Sequence, residues 1–165
     1  MRRSWRGQQI LPLLATALLV AACGTDPSSE AGQATSDVEQ SALEFVNSLT
    51  EAYAANDLEG YFGRMDRDMT LFNGASRWSW DGYHDRWAEV IETRGGVAFA
   101  EASDAQVRVS SERDAAAVSY QLTADYYRED GSVSRTEFAM STTLMEQDGQ
   151  WKIVHLHFVS APSDN

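Results

Sequence analysis

The hydrophobic residues of this chain follow two different spacings, one in each half. In the first half, apolar residues recur every three or four positions over 38–53, 58–65 and 83–91. That interval brings side chains onto one face of a helix, so the pattern predicts three helices. Ser36 and Glu39 have the spacing of a capping box at the start of the first helix, and Gly95-Gly96 predicts the end of the third.

The second half alternates apolar and polar residues, which is the period of a β-strand. Turn-forming segments at 129–132 and 147–150 separate the strands and predict hairpins. Helices followed by hairpin-connected strands indicate an α+β domain, in which three N-terminal helices pack against an antiparallel sheet. The predicted strands cover 69–72, 107–109, 115–127, 133–145 and 151–160, and the domain covers 38–161, with a tail at 162–165.

Residues 1–22 differ in composition from the rest of the chain. Arg2, Arg3 and Arg6 precede an uncharged, leucine-rich run at 10–22. As a helix this run would measure about 20 Å, whereas the hydrocarbon core of a bilayer is about 30 Å thick. The segment therefore predicts a secretory signal peptide rather than a membrane span. The Arg2-Arg3 pair leaves both the general secretory route and the twin-arginine route open.

The single cysteine stands directly after this leader. Val20-Ala21-Ala22-Cys23 resembles the lipobox of bacterial lipoproteins, in which the cysteine is acylated and the chain is cleaved before it. The resemblance implies an exported protein that is lipid-anchored at Cys23 in the bacterial cell envelope, without indicating which membrane. The alternative is an idle thiol after an ordinary Ala-x-Ala cleavage site. Small and polar residues at 24–37 predict a flexible linker.

Composition narrows the classes of partner. The 165 residues include 25 acidic and 13 basic side chains, for a formal charge of −12. A protein that neutralises nucleic-acid phosphates needs a basic face, so this balance argues against nucleic acid as a partner. One cysteine excludes an intramolecular disulfide and a cysteine-based zinc site. The sequence predicts no metal and no other cofactor.

The last predicted strand carries the most specific signal. The run from Asp148 to His157, read as DGQWKIVHLH, together with the order of helices and strands, resembles the nuclear transport factor 2-like (SnoaL-like) superfamily. The strand most resembles the association domain of calcium/calmodulin-dependent protein kinase II and its stand-alone bacterial relatives. This resemblance implies a cystatin-like cone, in which a strongly curved sheet wraps the helices around a cavity. The superfamily includes isomerases, dehydratases, cyclases and non-catalytic oligomerisation hubs, so the fold does not fix the function.

The resemblance also implies which residues line the cavity. Association domains bind small carboxylates through arginines on three strands, and here Gln121, Thr143 and Phe158 align with those arginines. Asn47 aligns with a helix carboxylate of that family. Without these charges, we expect a cavity for an uncharged, hydrophobic small molecule. Strand alternation adds Thr123, Ser141 and Leu156 to the predicted lining, and the helices add Tyr53 and Tyr61. Trp78 and Trp80 lie on a loop near the expected cavity mouth, where they form either a lid over the ligand or a hydrophobic filling.

Two carboxylates are candidates for a general base. Asp66 follows the second helix near the expected cavity mouth, where the alternative is a solvated turn residue. Asp125 lies on a strand, and an inward carboxyl group there would have a raised pKa. Either residue would suit an isomerase, dehydratase or cyclase that acts on a hydrophobic substrate.

The face of the last strand opposite Phe158 is predicted to carry Trp151, Ile153, His155 and His157. Because both faces of this strand are apolar, we expect the outer sheet face to bind a second copy of the chain. A homodimer is the default, and a larger ring is the alternative. The sequence thus predicts a lipid-anchored module for small-molecule binding or assembly, with an enzyme as the alternative.

Overall fold

The computed structural model of the protein describes residues 27–161. The leader, Cys23 and the tail at 162–165 lie outside the described residues. The elements in chain order are α1 (Pro27–Ala54), α2 (Leu58–Phe62), β1 (Met65–Asn73), β2 (Ser76–Trp78), α3 (Trp80–Arg94), β3 (Val97–Val109), β4 (Ala115–Tyr127), β5 (Val133–Gln147) and β6 (Gln150–Ser160). None of the helices described here is long and apolar enough to cross a bilayer.

The strands form one six-stranded sheet in the order β2-β1-β6-β5-β4-β3. Long hairpins connect β3 to β6, as the alternating pattern predicts, and the curved sheet confirms the α+β, cystatin-like fold. The expectation of a purely antiparallel sheet was wrong at one pair, because β1 lies parallel to β6. This pairing joins strands from opposite ends of the domain, and neither strand carries a local signal for it.

Helix α1 begins at Pro27, within the segment 24–37 that was predicted to be a flexible linker. Proline suits the first helical position, and alanine, glutamate and glutamine in the following residues favour the helical backbone. Gln33 donates a side-chain hydrogen bond to Asp37 one turn later. For residues 27–37 the linker prediction was therefore wrong, as was the start of the helix at Ser36, because residues that favour the helical backbone extend α1 without any large apolar side chain. Residues 24–26 of the predicted linker lie outside the described residues.

The core lies between α1 and the concave face of the sheet. Ala42, Val46 and Leu49 follow the helical spacing and are buried there. Strand residues fill the other side, and Leu71, Leu144, Ile153 and Leu156 are completely buried. Removing each such side chain from water contributes about 1.5–3 kcal/mol to folding.

Strand β6 contains an irregularity that reverses its alternation. Leu144 pairs with Ile153 but the preceding Thr143 pairs with His155, so one residue of β6 is skipped. Such a bulge moves the following side chains to the other face. Ile153 is therefore buried in the core, and Trp151 donates its indole N–H to Ser41 of α1 at 3.0 Å. The prediction that these two residues belong to an outer interface was wrong, since it assumed uninterrupted alternation.

A few polar contacts fix the helices that border the concave face. The Asn56 side chain accepts a hydrogen bond from the Val97 N–H and donates one to the Val97 carbonyl, which ties the end of α1 to the start of β3. Ser79 caps α3 by accepting from the Gly82 N–H. Gly95 ends α3 in the left-handed conformation, with φ of 86°. These contacts hold α3 across the open end of the cone.

Candidate functional site

A cavity of about 260 Å³ opens between the three helices and the concave face of the sheet. Its walls come from α1, α2 and α3 and from the inner faces of β4, β5 and β6. Such a volume suits a small molecule of one or two rings. The lining consists of Tyr53, Tyr61, Asn73, Trp78, Tyr83, Arg86, Trp87, Val90, Arg94, Leu122, Tyr126, Tyr127, Phe138, Met140 and Phe158.

Aromatic side chains form a closed circle around this cavity, which we call the aromatic wall. Each member contacts the next, with ring centroids between 4.8 and 6.4 Å apart. The tightest pair is Tyr53 and Trp87, which stack with an interplanar angle of 12°. Interlocked rings are rigid, so the cavity is largely preformed. In order around the circle, the members are Tyr53, Trp87, Tyr126, Phe138, Phe158, Tyr83 and Tyr61.

The tyrosine hydroxyls of the wall occur in two hydrogen-bonded pairs. The Tyr53 and Tyr126 oxygens lie 2.6 Å apart, and those of Tyr61 and Tyr83 lie 3.0 Å apart. Burial raises the pKa of all four phenols, because the phenolate form loses its hydration. Burial also raises the pKa of Tyr120, which borders a smaller adjoining pocket, to about 12. The phenols are therefore neutral at physiological pH and present uncharged hydroxyl groups.

The only charged side chains in the lining are two partly exposed arginines. Arg86 and Arg94 of α3 are part of the lining, and 47% and 44% of their side chains are exposed. No acidic residue belongs to the lining. The cavity is therefore not neutral throughout as expected, because two half-exposed arginine side chains belong to its lining.

Four of the six strand residues predicted to line the cavity lie on the opposite face. In β4 the buried side chains are Leu122 and its alternate neighbours, so Gln121 and Thr123 point outward. In β5, Met140 and Thr142 are buried, so Ser141 and Thr143 point outward. These four predictions were wrong by one residue of register, because they followed the alignment with association domains instead of side-chain size.

Other predicted cavity residues are divided between the site and its surroundings. Tyr53, Tyr61, Trp78 and Phe158 are part of the lining. Leu156 is buried in the core, outside the lining.

Asn47 and Trp80 were predicted to line the cavity and do not. Asn47 is exposed, because it lies next to the buried Val46 and hence about 100° around α1 from the packed stripe. Trp80 opens α3 behind Phe62, stacks on His84 at 5.1 Å and lies under the Arg67 guanidinium at 4.2 Å. Trp80 is therefore part of a separate packing cluster.

Neither predicted general base belongs to the cavity lining. Asp66 accepts hydrogen bonds from Gln147 at 2.8 Å and from the Asp68 N–H at 2.8 Å, and these bonds lower its pKa. Asp125 points outward, and the Arg135 guanidinium donates two hydrogen bonds that lower its pKa. A carboxylate with a lowered pKa that is committed to a neighbour is a poor base, so these assignments were wrong.

His155 and His157 lie on the convex face, opposite Phe158, as strand alternation predicts, because the bulge in β6 precedes them. Both rings are near Phe72, at 6.4 and 6.2 Å between centroids. A ring nitrogen of His157 lies 3.1 Å from the Gly74 carbonyl oxygen. Within residues 27–161, no group of histidine, cysteine and carboxylate side chains could hold a metal ion.

Several lining residues were missed at the sequence level although their pattern was visible. Tyr83, Trp87 and Val90 form the apolar stripe of α3, and Arg94 continues that stripe at the next turn. On β4 and β5, the apolar or aromatic side chains Leu122, Tyr126, Phe138 and Met140 lie at positions of one parity, and most of the positions between them are polar or small. The positions of the apolar side chains along these strands indicate which face points inward, and they would have predicted these lining residues.

The arrangement combines a rigid apolar chamber with a few neutral hydroxyl groups. The rings offer π-faces to a flat molecule, and the phenol pairs offer hydrogen bonds to an uncharged oxygen. The lining contains no histidine, cysteine, serine or carboxylate that would act as a base or nucleophile. Its chemistry therefore favours binding over proton abstraction.

Solved structures of the same fold come from several bacteria. A putative calcium/calmodulin-dependent protein kinase II association domain from Xanthomonas campestris is 17% identical over 74% of this chain and 86% of its own, with a TM-score of 0.60. A putative scytalone dehydratase from Novosphingobium aromaticivorans is 14% identical over 81% and 88%, with a TM-score of 0.66. A nuclear transport factor 2-like superfamily protein from Salmonella enterica serovar Typhimurium is 15% identical over 79% and 96%, with a TM-score of 0.65. At these identities the likeness shows the fold alone.

Comparison with curated proteins found no match. The family model of the SnoaL-like domain matches residues 42–163, which include α1 from Ala42 onward and all of the sheet. The chain therefore belongs to the SnoaL-like domain family.

Proposed function

We propose that the protein binds a small, flat, ring-containing molecule in the chamber enclosed by the aromatic wall. The wall itself carries the proposal. It encloses a preformed cavity, the polar groups of the wall itself are neutral phenols, and a folded protein gains no stability from leaving such an apolar volume unfilled. Stacking against Tyr53, Trp87 or Phe138 favours an aromatic or unsaturated ring.

An isomerase or dehydratase that uses Asp66 or Asp125 receives no support from this site. A general base must lie within hydrogen-bond reach of the proton that it removes, and neither carboxylate lines the cavity. The solved neighbours include a putative dehydratase, but that title describes the neighbour. Binding is therefore the function that the site supports best.

Calorimetry with naphthamide as an uncharged two-ring probe tests the proposal. The protein would carry Cys23→Ser, so that it stays in solution. Met140→Trp adds bulk inside the cavity and is expected to weaken binding at least about tenfold, because the added ring occupies the ligand's place. Ser141→Trp adds the same bulk on the convex face and serves as the matched control.

Naphthamide binding that is absent from the parent protein, or equal in both variants, would contradict binding in this chamber. Circular dichroism of both variants would show whether each retains the fold. If Met140→Trp does not fold, Phe138→Trp on the same wall replaces it.

We also propose that the protein is exported and held at a membrane through an acylated Cys23. The supporting observation is the run of small residues before the single cysteine at the end of a charged and then apolar leader. Membrane fractionation of cells that express the parent chain and Cys23→Ser tests this. Release of the variant into the soluble fraction is expected, and equal membrane retention of both would overturn the anchor.

A homodimer through the convex sheet face is the third part of the proposal. Phe72, His155 and His157 cluster there, and Val159 at the end of the same strand is 43% exposed. Light scattering should show a dimer that Val159→Asp dissociates, because the new carboxylate would be buried without a partner. Ala55→Asp, at an exposed residue after α1 and outside the sheet, is the control. A monomeric parent protein would contradict the dimer, and a larger mass would favour a ring.

A further inference from the structure

The arginines of α3 stand at the one charged part of an otherwise neutral cavity. Arg86 and Arg94 both belong to the lining, and Val90 lies between them on the same helix face. The rings of Tyr53 and Tyr61 in the same lining are buried, whereas nearly half of each arginine side chain is exposed. The guanidinium groups thus mark the mouth.

The acidic partners of these arginines are weakly held. Arg94 Nη2 lies 3.8 Å from Glu129 Oε1, which is beyond hydrogen-bond distance, and 82% of the Glu129 side chain is exposed. Arg86 Nη1 lies 2.7 Å from Glu89 Oε2, and 59% of that side chain is exposed. Exposed ion pairs of this kind contribute little, so a ligand anion can replace either carboxylate at small cost.

The charged side chains at the mouth are positive, whereas the net charge of the chain is negative. The protein carries a formal charge of −12, which repels anions from most of its surface. In contrast, the lining holds two guanidinium groups and no acidic side chain. A ligand with an anionic group would therefore have one favourable orientation, with its ring against the aromatic wall and its charge toward α3.

We infer that the ligand of this cavity is an aromatic anion, whose ring occupies the aromatic wall and whose carboxylate-like group is bound at the mouth by Arg94, with Arg86 as the second donor. This inference rests on the proposed binding function and adds the chemical class of the ligand. Arg94 is the principal anchor because its present ion pair leaves its N–H donors less committed than those of Arg86.

A matched pair of probes tests the inference. Naphthoate and naphthamide share the same ring system and differ in the negative charge. Calorimetry at low salt is expected to show naphthoate binding about three- to tenfold more tightly, as befits a half-exposed, charge-assisted contact. Raising the salt concentration should reduce this preference and leave naphthamide binding unchanged.

Substitutions then locate the anion. Arg94→Gln should remove most of the preference for naphthoate, Arg86→Gln a smaller part, and neither should weaken naphthamide binding. Arg108→Gln removes one positive charge outside the lining and is the matched control. Glu129→Gln should strengthen naphthoate binding by up to about threefold, because it removes the competing carboxylate.

The outcomes separate the two proposals. If neither probe binds, the proposed function fails. If both bind equally, or if Arg108→Gln lowers the preference as much as Arg94→Gln, the binding function stands and the aromatic anion is overturned.

Discussion

Strand β4 presents two faces of opposite character to the two sides of the sheet. Val118, Tyr120 and Leu122 point into the cone and are buried, whereas the intervening Ser119 and Gln121 are exposed on the convex side. Large side chains can fill the space under the helices, and small polar ones cannot. Bulk at alternate positions is therefore a stronger guide to the inner face than alignment with a distant family.

The two faces also differ in the kind of polar group that they carry. The concave side holds hydrogen-bonded phenols whose pKa values are raised by burial. The convex side holds Asp125, whose pKa is lowered by hydrogen bonds from Arg135. On the sheet, neutral donors thus face the cavity and ionised groups face the outside, whereas the two arginines of the cavity lining come from α3.

The largest expected contrast between the faces is in stability. Leu144→Ala removes a completely buried side chain and should lower the free energy of unfolding by about 2–5 kcal/mol. Ser141→Ala on the convex face should change it by less than about 0.5 kcal/mol. Urea denaturation of the two variants measures both effects, and similar costs for the two would contradict the assignment of faces.

The burial of the phenols should be detectable in the pH dependence of the free energy of unfolding. Their folded-state pKa values are raised, so their contribution is fully present below the unfolded pKa of about 10 and is lost as the pH rises above it. The free energy of unfolding should therefore begin to fall as the pH approaches about 10, and should continue to fall above that pH until the folded-state pKa values are passed.

Tyr83→Phe removes one titrating phenol and should flatten this decline by about 1.4 kcal/mol for each pH unit between the unfolded and folded pKa values. Ser119→Ala on the convex face should retain the parent dependence. Urea denaturation across the alkaline range measures both, and an unchanged slope in Tyr83→Phe would argue against a buried Tyr83.

The smallest effect is expected at the convex ion pair. The pKa of Asp125 is lowered, so its contribution exists above the unfolded carboxyl pKa of about 4 and is lost as the pH falls through the folded value. Asp125→Asn should lower the urea midpoint slightly at neutral pH, and the difference should vanish in acid. A difference that persists in acid would mean that the side chain stabilises the fold by something other than its charge.

The sequence predicts the architecture well because that architecture depends on periodicity. The switch from helical to alternating spacing places α2, α3 and the hairpins of β4, β5 and β6 close to their observed positions. It does not reveal that β1 pairs in parallel with β6, since that contact joins segments about 80 residues apart without a local signal.

The site is less predictable from sequence because it depends on single-residue register. One skipped residue in β6 separates Ile153 from His155, and it determines which side chains reach the core. Arg86 and Arg94 belong to the lining because of where α3 packs relative to the sheet. The spacing of apolar residues within α3 does not predict that position. By contrast, Tyr53 and Tyr61 were found from helical spacing and line the cavity.

The length of α1 has a mechanical consequence. Tyr53 in the aromatic wall lies on the last turn of the helix that begins at Pro27, about 40 Å away along the helix axis. If Cys23 is acylated as proposed, this helix would act as a spacer between the lipid anchor and the chamber. A spacer of this length would allow the chamber to lie away from the lipid headgroups, so that ligand would reach Arg86 and Arg94 from water.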